Sequence, residues 1–378
     1  MRKLAIDFTF QATGGVLARV NQLIKNINSY DFDEVIFFIA SDNRHHFENS
    51  HIDKKIILKY VKFSNKSIIL RTIWVQILLP ILLVLNHIDV LYCPVGVSPI
   101  INIKKKVQYM HTIGPFERDF ISFFNFRQRV ILYINKYFMI FSAYTSDRVI
   151  FDSKYTRDLF VKKFKQKIEK SSVIHSGNDE FFKSVDSNNS NAFNEIGHKD
   201  FILTVSHLYP YKNLEVLIDS FYNLKLHERG LHVLVAGSIS NKKYYKKLKI
   251  LLDQYGISKY VIFLGRIESE DLRELYSQCK IFVYTSPFEN FSNTLVEALC
   301  CSAPIISTNT TSMPEVCGAA ALYFSPDAEE ELSECIMTFL SDEKVRLKYK
   351  EMALLKSKEY PVYSEQTRQT NILLTKLL

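Results

Sequence analysis

The chain has 378 residues, which suits two domains better than one, and its 47% of hydrophobic residues is enough for a sizeable core. The formal net charge of +8 fits an anionic partner, but no RNA-binding motif accompanies the basic clusters, so we expect no nucleic acid. The six cysteines have no C-x-x-C or Cys/His ligand spacing, which predicts reduced thiols in a cytoplasmic protein. The first residues, MRKLAIDFTF, begin a strand and lack the apolar region of a signal peptide.

The first half of the chain alternates between short apolar runs and longer amphipathic stretches. A run of four to eight apolar residues between turn residues is typical of a buried strand. The predicted strands are 4–8, 35–40, 56–61, 89–93, 107–110, 148–151 and 172–175, and the predicted helices are 15–26, 67–85, 123–144 and 153–164. This alternation predicts a doubly wound, mostly parallel α/β sheet.

Residues 68–85 are apolar over nearly the length needed to span a bilayer. Arg71, Gln76 and Pro80 interrupt the run, and an arginine is costly in hydrocarbon. We therefore expect a buried or interfacial helix here. Contact with a membrane surface, and so a peripheral location on its inner face, stays open.

A polar stretch rich in Asn and Ser separates two halves of similar pattern. We predict an amino-terminal domain over 1–182, a linker over 183–199 and a second domain over 200–360. A last helix in 361–378 is expected to fold back onto the first domain. The predicted strands of the second half are 201–205, 233–236, 261–264, 281–285, 305–306 and 322–324, and its predicted helices begin near 213, 242, 270, 293, 327 and 342.

Residues 286–316 read as a loop, a helix and a strand that follow a buried strand. Loops at the carboxyl ends of parallel strands are where ligands bind in such sheets, and Glu289 and Glu297 fall in this place. Two acids beside a helix N-terminus suit a ligand with hydroxyls and an anionic group. Two structural interpretations stand beside this one: Thr294 and Glu297 have the spacing of a capping box, and Glu289 fits a solvated loop.

The first loop of the second domain, VSHLYPYKN, has a similar position after strand 201–205. We expect Asn213 to cap the following helix, which holds Lys212 beside a helix N-terminus where a diphosphate can bind. An exposed loop lysine is the simpler alternative.

Other candidate positions are weaker when taken singly. Gly15 with Gly14 predicts a tight turn after the first strand, Gly265 a turn after strand 261–264, and His111 ends a strand. The D-x-D triplet Asp31-Phe32-Asp33 matches the spacing used by some metal-dependent enzymes, but it precedes a strand and reads as a turn. We expect no metal and no other cofactor.

The stretch ENFSNTLVEA, with APIIS and MPEV after it, resembles the E-x7-E signature of the retaining glycosyltransferases of family 4. That resemblance covers nearly the whole chain and is strongest over 200–325. It implies the GT-B fold, in which two doubly wound Rossmann-like domains face each other across a cleft. The segment HSGND at 175–179 resembles the family's interdomain turn.

The resemblance also assigns roles to residues. Glu289 is expected to bind donor-sugar hydroxyls and support the reacting centre, with His111 facing the same sugar. Glu297 falls where the family binds the ribose, and Lys212 where it neutralises the diphosphate. His207 stands where the family usually has Arg, so it supplies a hydrogen bond without a charge. The remaining positions expected to bind the donor are Gly15, Gly265, Asn290, Phe291, Ser292, Asn293 and Thr294.

The function implied is transfer of a sugar from a UDP- or GDP-sugar to a hydroxyl of a glycan or lipid-linked acceptor, in polysaccharide or lipopolysaccharide synthesis. Two alternatives remain open at this point: a non-catalytic nucleotide- or glycan-binding relative, and a sugar-nucleotide epimerase on the same fold.

Overall fold

A computed structural model describes residues 2–10, 15–27, 31–47, 53–62, 67–101, 103–165, 167–183 and 200–378. The chain divides into two compact units. The first consists of Met1–Gly177 and Pro361–Leu378, and the second of Asn178–Tyr360. All but the first residue of the predicted linker 183–199 lies outside the described residues.

The first unit is built on a parallel sheet of buried apolar strands. Its strands are β1 (Lys3–Phe8), β2 (Glu34–Ala40), β3 (Ile56–Val61), β4 (Val90–Cys93), β5 (Lys105–Met110), β6 (Arg148–Phe151) and β7 (Ser171–Val173). Their order in the sheet is β3-β2-β1-β4-β5-β6-β7. The order therefore reverses between β1 and β4, which is where doubly wound sheets bind ligands.

Helices cover both faces of this sheet because its side chains alternate between two cores. Leu4 and Ile6 point to one core, and Ala5 points to the other. The helices are α1 (Gly15–Asn26), α2 (Ile68–Ile73), α3 (Leu79–Leu85), α4 (Arg118–Ser122), α5 (Phe126–Thr145), α6 (Lys154–Phe164) and, from the end of the chain, α14 (Tyr363–Thr375).

The helix predicted over 67–85 is continuous but irregular. A π turn over Trp74–Leu78 joins α2 to α3, next to Pro80, which has no N–H to continue the ladder. Among the described residues, Ile68–Leu85 is the one helical stretch long and apolar enough to cross a membrane by length and composition. One face of it, with Trp74 and Leu79, packs on the sheet.

Two helices lie in residues 118–145: the short α4, which was not predicted, and α5, which is the helix predicted over 123–144 and begins at Phe126. The second begins with a capping box, in which the Asn125 side chain accepts from the Gln128 N–H at 3.0 Å and Gln128 Oε1 accepts from the Asn125 N–H at 3.1 Å. This reciprocal pairing fixes the start of α5. The N-x-x-Q spacing of Asn125 and Gln128 is visible in the sequence, but it lies within a long apolar stretch that makes the helix start hard to recognise.

The second unit repeats the arrangement with a second parallel sheet. Its strands are β8 (Phe201–Val205), β9 (His232–Ala236), β10 (Val261–Gly265), β11 (Ile281–Tyr284), β12 (Ile305–Thr308) and β13 (Ala321–Phe324), in the order β10-β9-β8-β11-β12-β13. Its helices are α7 (Leu214–Asn223), α8 (Lys242–Gln254), α9 (Ser269–Gln278), α10 (Asn293–Cys300), α11 (Met313–Cys317), α12 (Glu329–Ser341) and α13 (Glu343–Ser357). Here the order reverses between β8 and β11.

The division between the units falls between Gly177 and Asn178, within the turn-like segment 175–179 and before the predicted boundary at 182. Residues 178–182 group with the second unit because Phe182 packs edge-on against Tyr276, with ring centroids 6.4 Å apart. The terminal helix α14 belongs to the first unit. Its Leu374 is fully buried in the core that contains Leu4 and Ile6.

Candidate functional site

The loops that follow β8 and β11 meet at the point where the second sheet reverses its strand order. Lys212 Nζ, from the first loop, forms an ion pair with Glu289 Oε1, from the second. The side chains are 13% and 21% exposed, so the pair is partly withdrawn from water yet open to a ligand. The sequence placed both residues at strand ends, and the adjacency of β8 and β11 brings them together.

Aromatic rings and hydroxyls surround this ion pair. The Lys212 ammonium lies 5.4 Å from the ring centroid of Tyr211 and 5.8 Å from that of Tyr284. The Tyr284 hydroxyl is hydrogen-bonded to Glu289 and Ser292, and Ser286 Oγ donates to Glu289 Oε1 at 3.2 Å. Burial and the Glu289 charge raise the pKa of both tyrosines, so both hydroxyls stay protonated and able to donate.

A second row of hydroxyls, from residues 308–312, holds the Glu289 loop in place. Thr308 Oγ1 donates to the Ser286 carbonyl at 2.8 Å, and Thr310 Oγ1 to the Pro287 carbonyl at 2.8 Å. Ser312 Oγ donates to the Glu289 carbonyl at 3.2 Å. Sequence reasoning missed these supporting residues, although the TNTTS run after a strand is the signal that marks them.

Helix α10 starts directly behind this loop. Ser292 caps it, since Ser292 Oγ accepts from the Leu295 N–H at 3.2 Å. The first helical positions are Asn293 and Thr294, whose N–H groups have no acceptor within the helix. Thr294 therefore lies inside the helix, and the capping-box interpretation of Thr294 and Glu297 is wrong. An anion at this end of α10 is favoured by these donors and by the helix dipole.

Glu297 lies on the first turns of α10 with its carboxylate half-buried. Its Oε2 accepts from the Tyr276 hydroxyl at 3.2 Å. Burial raises the pKa of Glu297 to about 7; the Tyr276 hydrogen bond opposes the shift and Asp179 adds to it. The group is thus poised to change protonation near neutral pH, which is uncommon for a solvated helix residue.

Asn213, expected to cap α7, does not do so. It is in the left-handed conformation with φ +50°, and its Nδ2 donates to the Pro326 carbonyl at 2.7 Å. The Leu214 N–H at the start of α7 instead donates to the Tyr244 hydroxyl at 3.0 Å. The amide of Asn213 therefore ties the Lys212 loop to the segment after β13, and a tyrosine from α8 supplies the acceptor.

His207 and Gly265 lie at the ends of β8 and β10, on either side of β9. The Gly237 N–H, at the end of β9, donates to the Gly265 carbonyl at 2.7 Å, and the Ser206 N–H donates to the Ala236 carbonyl at 2.9 Å. Gly265 has φ +71°, a conformation that favours glycine. The backbone conformation is thus a reason for a glycine at this position, in addition to the expected contact with a ligand.

Arg266, which sequence reasoning missed, adds a cation to this edge of the sheet. Burial lowers the pKa of His207, and the charges of Lys212 and Arg266 lower it further. His207 is therefore neutral at pH 7, as expected from the sequence. Arg266 is exposed and has no ion pair among the described residues. A charged residue after the strand-ending Gly265 was the available signal.

The other expected donor-binding residues of this loop differ in their surroundings. Asn290 is buried, with 5% of its surface exposed. The Phe291 ring packs edge-on against Tyr360 at 5.6 Å and contributes to the core of the second unit. Phe291 thus anchors the loop through its side chain.

In the first unit, His111 follows β5 and lines a cavity of about 540 Å³ at the carboxyl ends of β1, β4 and β5. Gly15 is the first residue of α1, and Gly14 lies outside the described residues. The D-x-D triplet has structural partners: Asp33 Oδ2 accepts from the Arg2 N–H at 2.6 Å, and Asp31 accepts from Asn371 of α14. Those bonds support the interpretation of the triplet as a turn.

Solved structures match the full length of the chain. It covers all of the Anabaena protein Alr3699/HepE, crystallised with UDP, with a TM-score of 0.76 at 18% identity. At that identity the likeness shows the fold, and the predicted class is confirmed: two Rossmann-like α/β units of the GT-B type. Residues 186–355 match the family model described as Glycosyl transferases group 1. This match lies within the second unit and confirms the resemblance stated from ENFSNTLVEA.

Curated relatives match parts of the chain. The serotype-specific mannosyltransferase WbdA of Escherichia coli is 30% identical over 162 residues, which are 43% of this chain and 20% of the relative. A Campylobacter jejuni enzyme, N-acetylgalactosamine-N,N'-diacetylbacillosaminyl-diphospho-undecaprenol 4-alpha-N-acetylgalactosaminyltransferase, is 26% identical over 231 residues, 60% of each chain. The match thus spans a fifth of WbdA and three fifths of the Campylobacter enzyme.

Proposed function

We propose that this chain is a retaining glycosyltransferase, which moves a sugar from a nucleoside-diphosphate sugar to a hydroxyl of a glycan or lipid-linked acceptor. The observation that carries the proposal is the pairing of Lys212 with Glu289 beside the N-terminus of α10. A cation, a carboxylate and the N–H groups at a helix start are gathered at one sheet edge. These groups match a diphosphate joined to a sugar.

Departure of the nucleoside diphosphate develops negative charge, which fixed cations and dipoles stabilise. Lys212 and the N–H groups at the start of α10 are placed to do this, with Arg266 supplying the charge that His207 lacks. These protein groups provide positive charge at the diphosphate, so we expect no metal requirement. Donor binding exchanges one ion pair for two new contacts: the diphosphate takes Lys212, and the sugar hydroxyls take Glu289.

The remaining roles follow the family resemblance. Glu289 binds the sugar hydroxyls and supports the oxocarbenium-like centre, Glu297 accepts from the ribose hydroxyls, and His111 faces the reacting sugar. Gly265 and the backbone of 290–294 line the nucleotide. Retention of configuration rests on the resemblance, and the donor base is uridine or guanosine.

The donor assignment is tested by thermal shift with UDP, GDP and their sugars, followed by release of nucleoside diphosphate with and without acceptor. A bound ligand raises the melting temperature in proportion to its affinity. We expect one nucleotide series to stabilise the protein and Glu289→Ala to abolish release while leaving the melting temperature of the free protein within a few degrees. Binding without release identifies the non-catalytic alternative, and isomerisation of the free donor identifies an epimerase.

The names of the two relatives, one serotype-specific and one acting on a diphospho-undecaprenol-linked acceptor, favour a role in surface polysaccharide or lipopolysaccharide synthesis. Such acceptors are held in a membrane, and we propose that the protein works on its cytoplasmic face. Helix α5 supports this location: Phe126, Tyr137 and Phe141 are 81%, 56% and 53% exposed. The helix carries three basic residues and no acid, which suits an anionic lipid surface.

Sedimentation with vesicles tests this location. We expect binding to vesicles rich in phosphatidylglycerol that weakens as salt is added, and loss of binding when Phe126 and Phe141 are both replaced by Glu. The control is Leu347→Glu, which makes the same kind of change at an exposed apolar residue of the second unit. Equal binding of the α5 variant and the wild type contradicts the proposal.

A further inference from the structure

The cavity in the first unit lies where ligands bind in doubly wound sheets. Its walls come from the segments after β1, β4 and β5, which surround the reversal of strand order, and from α2, α4 and α5. Its volume of about 540 Å³ is that of a small-molecule site. The lining is mainly apolar: Phe10, Ile68, Val97, Phe120, Leu132 and Met139.

One arginine interrupts this apolar lining. Arg71 stacks on Phe10, with its guanidinium carbon 4.8 Å from the ring centroid. Its Nη1 donates to the Thr9 carbonyl at 3.1 Å, and this is its one described hydrogen bond. Asp7 lies close by, but its Oδ1 accepts from Thr9 Oγ1 at 2.8 Å and Trp74 Nε1 at 3.0 Å. A guanidinium has five N–H donors, so Arg71, which lines the cavity, has donors beyond the one that binds Thr9.

We propose that this cavity binds an apolar chain that carries a phosphate, with the chain against the apolar wall and the phosphate on Arg71. The proposal rests on the proposed function, because it assigns this chemistry to the acceptor. A guanidinium recognises phosphate with two parallel hydrogen bonds. A glycan alone fits poorly, since its hydroxyls need many partners and the apolar wall offers few.

The cavity also continues into the exposed apolar face of α5. Ile131 lines the cavity and is 41% exposed, and the exposed Ile134 follows it one turn later without lining the cavity. An apolar chain in the cavity can therefore extend past Ile131 onto the apolar surface of α5. This continuity favours an amphiphile over a soluble phosphate.

Calorimetric titration of the full chain tests the proposal with three probes: n-octyl phosphate, n-octanol and inorganic phosphate. We expect n-octyl phosphate to bind at least about tenfold more tightly than either of the others, because both parts of the site contribute. Arg71→Gln is expected to reduce the advantage of octyl phosphate over octanol to less than about threefold. Equal binding of octanol and octyl phosphate to the wild type overturns the proposal.

Two isoleucines of equal exposure provide the matched control. Ile131→Glu places a carboxylate at the cavity and is expected to weaken octyl phosphate binding by about tenfold or more. Ile134→Glu makes the same change outside the cavity, and we expect binding within about twofold of the wild type. Equal losses in both variants indicate adsorption to the α5 surface and overturn the cavity assignment, even where Arg71→Gln fails to fold.

The donor site gives an independent readout. A protein that binds UDP or GDP but not octyl phosphate retains the proposed function and loses this inference. Binding of octyl phosphate with the expected selectivity, but of no nucleotide, keeps the cavity assignment and overturns the proposed function.

Discussion

Lys212 and Glu289, 77 residues apart in sequence, form an ion pair that neutralises both charges. The same two groups are the ones we assign to the diphosphate and the sugar. Pairing the two groups removes the penalty of leaving either charge partly buried and alone. A donor has to compete with this pair.

Because of this competition, one variant is expected to bind the free nucleotide more tightly and yet to transfer sugar more slowly. In Glu289→Gln, Lys212 loses its charged partner, so we expect the free nucleoside diphosphate to bind severalfold more tightly. Transfer from the full donor is expected to fall by about a hundredfold or more, since the carboxylate no longer supports the reacting centre. Calorimetry and a product-release assay on one preparation measure both effects. Weaker nucleotide binding in this variant contradicts the competition.

Arg266 is predicted to carry the charge that His207 lacks. Arg266→Gln is expected to weaken nucleoside diphosphate binding by about tenfold, the scale of a charge-assisted hydrogen bond. Adding His207→Arg to that variant restores a cation two strands away at the same edge and is expected to recover most of the affinity. Lys259→Gln, at an exposed lysine that precedes β10, is the control. Failure of the second substitution to rescue binding argues against this division of roles.

Glu297 predicts a pH dependence of donor binding. Its pKa is raised to about 7, so the carboxylate is ionised above that pH and protonated below it. An ionised carboxylate accepts more strongly from ribose hydroxyls, and affinity for a nucleotide sugar should therefore rise between pH 6.5 and 8. Titrations of Glu297→Gln should show a flat profile over this range. A slope that survives in the variant assigns the titration to another group.

Two glycines, Gly265 and Gly237, are hydrogen-bonded to each other at the carboxyl edge of the second sheet. Replacing each by alanine is expected to destabilise the fold to a different extent. A Cβ on Gly265 meets nothing within 4 Å, so Gly265→Ala should cost only the backbone strain of φ +71°, roughly 1–2 kcal/mol. A Cβ on Gly237 lies 2.0 Å from the Ser206 carbonyl oxygen, which is backbone and cannot move aside cheaply. Gly237→Ala should lower the melting temperature considerably more. Equal shifts contradict the packing described for the loops after β8 and β9.

Most strands and helices could be predicted from the sequence because buried parallel strands are short, apolar and bounded by turn residues. Glu289 and Lys212 were recognised for the same reason, since each follows a strand. The details that were missed depend on distant partners. Asn213 has the right residue type for a cap, but Pro326 offers its amide a carbonyl. Ser292 rather than Thr294 begins α10, and local spacing does not distinguish the two.

The electrostatic details were the least predictable. Arg266 acts on His207 across the intervening β9, a relation visible only once the strand order is known. The pKa of Glu297 reflects how much water the folded chain removes from it. The cavity beside His111 arises from six separate segments, and its apolar residues looked like ordinary core in the sequence.

The terminal helix α14 has a consequence for synthesis of the protein. Because Leu374 completes the core that Leu4 and Ile6 begin, the first unit stays open on the ribosome until the whole second unit has emerged. The second unit, by contrast, is contiguous and can fold as soon as it is exposed. The earliest-made half of the chain is therefore the last to close, and its apolar surface is open to aggregation for that interval.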